Sequence, residues 1–153
     1  MISYKTNHVK QFMNQLLRLG AFDGWEVREI KLHTMVRYTI SGEINPAFFQ
    51  EGEEHPPYIL WQDMKDTMFD LIKGRKQPSL MQITLAFPKE QIMDVPTDNI
   101  ESFLLNIHYE NGALKLVAGT SVKTFSLDRS AEQFWDGYVA GFLEQQGIEV
   151  EAE

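Results

Sequence analysis

The chain has 153 residues, no cysteine and a formal net charge of −8. That length fits one domain with a core able to stand without crosslinks, and the missing thiols exclude disulfides, thiolate metal sites and thiol catalysis. After Arg129 there is no Lys or Arg, while Glu132, Asp136, Glu144, Glu149, Glu151 and Glu153 follow, so binding to phosphate backbones by general electrostatics is disfavoured.

In chain order, Ile2 and Tyr4 suit a short edge strand, and Thr6 or Asn7 can cap a following helix. Val9, Phe12, Met13, Leu16 and Leu17 fall at helical spacing on one face, which is read as core-facing, with Gly20 as the stop. After a turn at Ala21 to Gly24, Val27, Ile30 and Leu32 form one arm of a β-hairpin and Val36, Tyr38 and Ile40 the other. Alternation slips between Val27 and Ile30, which predicts a bulge or a register change. Ala47 to Pro57 is the least regular stretch and is read as a loop.

A second helix is expected from Tyr58, with Trp61, Met64, Met68, Leu71 and Ile72 as its apolar stripe and Gly74 at its end. Met81, Ile83, Leu85 and Phe87 alternate with polar or small neighbours and make the clearest strand, ended by Pro88. Lys89 to Val95 suits one or two helical turns. Phe103, Leu105 and Ile107 begin a meander, Asn111-Gly112 supplies a tight turn, and Leu114 and Leu116 continue it. Gly119-Thr120 is read as a second turn, leading to a further strand through Val122, Phe125 and Leu127. Period two then gives way to a helix whose wide stripe holds Ala131, Phe134, Trp135, Tyr138, Val139, Phe142 and Leu143, with Gly147 as the stop. At roughly 1.5–3 kcal/mol for each large side chain buried, this last helix is expected to wall the core.

The order helix, two strands, helix, four strands, helix, with an optional first strand, implies an α+β fold. Its antiparallel sheet of about five to seven strands would carry the helices on one face. One domain over 1–153 is expected, with 148–153 a disordered acidic tail. The first residues lack the apolar run of a signal peptide, and no stretch approaches the roughly 18 apolar residues of a membrane helix. The expectation is therefore a soluble cytoplasmic protein.

Val9-Lys10-Gln11-Phe12-Met13-Asn14 resembles the opening of a bacterial family known only as a domain of unknown function. Leu105-Asn106-Ile107, Gly119-Thr120-Ser121 and Thr124-Phe125-Ser126-Leu127-Asp128 resemble later parts of the same family. The resemblance spans nearly the whole chain and implies no activity, ligand or catalytic residue. Small acidic dimeric secretion chaperones offer an architectural analogy, with a different strand order.

Chemistry is sparse. His8, His33, His55 and His108 are scattered, and no HExxH or paired-cysteine spacing exists, so no metal centre is expected. Glu51, Glu53, Glu54 and His55 share a loop but lack the pattern of a calcium loop, and read as a solvated acidic segment. His108 reads as an ordinary strand histidine. Ser121 and Ser126 have no nucleophile elbow, and no nucleotide-binding glycine pattern appears. Asp63, Asp66 and Asp70 share a helix face but are interleaved with Lys65 and Lys73, as on a solvated surface. Lys73, Arg75 and Lys76 form a basic spot that complements a helix C-terminus, with anion binding as the competing reading.

No cofactor and no catalytic residue are assigned. Trp61, Trp135 and Tyr138 carry polar handles on apolar stripes and, with His33, are the candidate ligand-binding residues; solid core is the competing reading. Three functional expectations follow. The first is a non-enzymatic binding or interaction protein, with homodimerisation an option. The second is a sensor or enzyme with a pocket between the last helix and the sheet, and the third a dimeric chaperone-like protein.

Overall fold

The computed structural model describes all residues from Met1 to Glu153. In chain order the elements are β1 (Ile2–Thr6), α1 (Val9–Leu17), β2 (Glu26–His33), β3 (Arg37–Ser41), α2 (Trp61–Ile72) and β4 (Leu80–Phe87). They continue with β5 (Ile100–Glu110), β6 (Ala113–Val122), α3 (Ser130–Gln145) and β7 (Glu151–Ala152). The strands form one seven-stranded sheet in the order β3-β2-β4-β5-β6-β1-β7, and every pairing is antiparallel. With the helices packed on it, this is the expected α+β fold.

Alternation decides which face the helices cover. Met81, Ile83 and Leu85 of β4, Phe103, Leu105, Ile107 and Tyr109 of β5, and Leu114 and Leu116 of β6 are buried in the common core. The intervening residues face the other way, where Lys31, Gln82, His108, Lys115 and Lys5 pair in one row across five strands. One face is therefore apolar and covered, the other polar and open to water, as an antiparallel sheet permits.

The slip in the first hairpin arm is real: the β2–β4 register shifts between Val27 and Glu29. α3 ends as its sequence indicates. Gly147 takes φ +70°, its N–H donates to Glu144 O at 3.0 Å, and Ile148 N–H donates to Leu143 O at 2.9 Å. Buried Ile148 and Leu143 supply the apolar contact that usually accompanies this C-terminal motif.

Three local expectations need correction. Gly119 and Thr120 do not turn the chain; β6 runs through them, paired to Leu104 and Phe103 of the long strand β5. The further strand through Val122, Phe125 and Leu127 is absent, and Phe125 and Leu127 are 88% and 87% exposed. Three strands, not four, therefore separate α2 from α3. The acidic end is structured where disorder was expected. Tyr4 and Lys5 of β1 pair with Ala152 and Glu151, and Ser3 Oγ donates to Glu153 Oε2 at 2.8 Å.

Candidate functional site

The aromatic residues sort into a packed wall. Trp135 projects from α3 onto the sheet, is fully buried, and donates its indole N–H to Leu104 O at 2.9 Å. Tyr138, one helical turn on, stacks on it with centroids 5.5 Å apart and planes 11° from parallel. Trp25, Phe87 and Phe103 close around the same indole at 5.7, 5.8 and 5.2 Å. Burial pushes the Tyr138 hydroxyl above its ordinary pKa. Trp61 lies elsewhere: it is fully buried and donates its N–H to Leu16 O at 2.7 Å, making no ring contact with the Trp135 cluster. His33 sits half-buried at the end of β2, where its backbone carbonyl accepts from Ser79 N–H at 2.9 Å. The structure brings Trp135 and Tyr138 together and leaves Trp61 and His33 apart from them.

The other polar candidates are locally occupied. Asp70 pairs with Lys73 at 3.2 Å, and His108 Nε2 lies 3.2 Å from Glu110 Oε2. Gln50 N–H donates to Glu53 Oε2 at 2.8 Å, while the His55 ring stacks on Phe49 at 4.7 Å.

A cavity lies at the other end of the helical layer. It is an open groove of about 550 Å³ between α1, the C-terminal half of α2, the start of β4 and the β5–β6 turn. That volume is within the range typical of small-molecule sites. Leu17, Met81 and Tyr109, all buried, form its floor, and Val9, Met13, Phe69, Ile72 and Pro78 its walls. The rim is polar: Lys10 and Asn14 from α1, Arg18 capping its C-terminal end, Gln77 before β4, and Gly112 in the turn.

Each part follows from local sequence. Lys10, Asn14 and Arg18 recur every fourth residue and so line one edge of α1; Val9, Met13 and Leu17 repeat the spacing one row away, toward the sheet. The Arg18 guanidinium lies over the Phe69 ring, 5.4 Å from its centroid, an arrangement the ring quadrupole favours. The Tyr109 hydroxyl donates to Gln77 Oε1 at 2.5 Å, tying the floor to the segment after α2. Asn111 and Gly112, with φ of 54° and 79°, close the hairpin whose tip forms one lip.

The groove is held open by fixed points behind it. α1 ends near Leu17, so the Leu16 carbonyl has no acceptor role left within the helix, and the Trp61 indole satisfies it. Lys65 Nζ donates to Asp23 Oδ1 at 2.8 Å and Leu19 O at 3.3 Å, fastening the chain after α1 to α2. No Asp, Glu or His lines the groove, and Lys10, Arg18 and Tyr109 are its ionisable groups. Trp61, Trp135, Tyr138 and His33 are not among its lining residues. Sequence reading took α1 as one core-facing stripe; the signal it passed over was the second row, two cations flanking an amide at four-residue spacing.

A family described as a family of unknown function (DUF5721) matches residues 15–151 of the chain. No curated protein and no solved structure matches it.

Proposed function

The chain belongs to that family of unknown function (DUF5721), and we propose from its own geometry that it is a non-enzymatic binding protein whose small-molecule ligand lies in the groove between α1 and α2. The observation that carries this reading is the pairing of a buried apolar and aromatic floor with a polar rim, in a cleft of about 550 Å³. A floor of this kind supplies affinity through apolar burial, and a few convergent polar groups supply orientation. The Trp135 cluster is left outside the proposed site because its rings already fill the space around one another.

The test is a neutral apolar fluorophore, Nile red. Wild-type protein is expected to give saturable, blue-shifted emission, and Met13→Trp, which fills the groove, to abolish it. A Phe125→Ser, Leu127→Ser variant, which removes exposed apolar side chains far along the chain, is expected to keep it. No saturable binding, or binding lost only in the second variant, sinks the reading.

A further inference from the structure

The groove's charge is opposite to that of the protein. The chain carries a formal net charge of −8, yet the charged residues lining the groove are Lys10 and Arg18. Neither has a carboxylate within ion-pair distance. Two cations without a carboxylate partner thus sit on the rim of this cleft, in a chain with 22 acidic residues. Lys10 also stands in the first turn of α1, which contains no acidic residue. A cation there opposes the helix dipole, whereas an anion would be favoured.

Resting on the binding role proposed above, we infer that the ligand is an amphipathic carboxylate, with an apolar body on the Met81–Tyr109 floor and its head group on the Lys10–Asn14–Arg18 edge. Lys10 and Arg18 are eight residues apart, about 12 Å along the helix axis. Their long side chains can converge on a head group above Asn14, whose amide offers a further donor. Phe69 holds the Arg18 guanidinium in place by stacking on it, so less side-chain freedom is lost on binding. The net negative charge of the molecule opposes approach only from a distance. Screening at physiological salt acts over about 8 Å, so remote carboxylates count for little against two cations in contact. Arg75 and Lys76, exposed just before Gln77, add positive charge along the chain leading to the same rim.

The experiment compares dodecanoate with 1-dodecanol, a neutral ligand of equal chain length, by calorimetric titration below their aggregation limits. Wild type is expected to bind the acid about tenfold more tightly than the alcohol, with the ratio falling as salt rises. In the Lys10→Gln, Arg18→Gln variant the ratio should fall to about one. A Lys31→Gln, Lys123→Gln control removes the same charge elsewhere and should keep the wild-type ratio. Equal affinities in wild type, or a preference that survives loss of both rim cations, would overturn the inference while leaving an apolar binding site intact. Failure of both ligands to bind would overturn the binding role itself. Sedimentation showing a dimer that Met13→Trp dissociates would place a second copy in the groove and overturn the carboxylate.

Discussion

The helical layer covers one face of the sheet in two different ways. Toward α3, rings meet rings: Trp25, Phe87, Trp135 and Phe142 lie with centroids 5.1 to 5.8 Å apart, and the buried indole N–H of Trp135 has its acceptor. Toward α1 and α2, unbranched Met13 and Met81 and the small turn at Gly112 leave about 550 Å³ open, and the cations on the rim have no carboxylate partner. Both ends share a sheet, a pattern of alternation and a helix cover. They differ in whether side-chain volume fills the space between the layers. Aromatic density therefore marks where packing is finished, and a binding site is to be sought where it thins out.

The largest effect should come from breaking the filled end. Trp135→Ala removes a fully buried indole from a cluster that cannot close over the gap, and is expected to cost about 3–5 kcal/mol in urea unfolding. A loss below about 1 kcal/mol would mean the wall is not close-packed. The corresponding change at the open end should cost less. Trp61→Phe keeps most of the ring but leaves the Leu16 carbonyl without its donor, for an expected loss of about 1–3 kcal/mol. Amide exchange should quicken in α1 and α2 while α3 stays protected. Uniform acceleration across all three helices would show that the two ends do not act separately.

The filled end was much the more legible. Its strands carry clean alternation, its helix a wide apolar stripe, and its stop a glycine whose positive φ the chain requires. Trp25 was the exception: no sequence pattern marks it, yet it reaches the centre of the aromatic cluster because Phe22 and Trp25 both pack against Phe142 of α3, a long-range outcome that no local period encodes. Gly119-Thr120 misled for a related reason. Local chemistry favours a turn there, but β5 is long enough to pair with both residues, and the ladder keeps them extended. β7 was hidden likewise, since a pairing between residues 151–152 and the start of the chain leaves no mark in a six-residue acidic window. The groove was illegible because it is an absence of volume among residues that each look like ordinary core, and only the Lys10, Asn14, Arg18 row advertised it.

At the lip of the groove, Gly112→Ala forces a side chain into the left-handed region, where φ is 79°. An added Cβ there would meet no neighbour within 4 Å, so the cost is backbone strain alone, about 1 kcal/mol. Thermal unfolding measures it. A cost several times larger would show that the turn packs against something the open groove lacks, and would blur the distinction between the two ends.

The smallest effect concerns how the filled end is fastened where α3 begins. The Asp128 carboxylate accepts from Ser130 N–H at 2.9 Å, and this hydrogen bonding to Ser130 holds its pKa below the ordinary value. A carboxyl whose folded pKa is depressed contributes stability above its unfolded pKa, near about 4, and loses it as pH falls through the folded value. Because Asp128 is exposed, the contribution is small and screened by salt. Asp128→Ala is therefore expected to lower the melting temperature slightly at neutral pH, with the difference from wild type shrinking below about pH 4. Amide exchange should place the loss in the first turn of α3 and leave α1 unchanged. A difference that persists undiminished in acid would mean that the side chain acts there through its uncharged form, and that the start of the wall depends on shape rather than charge.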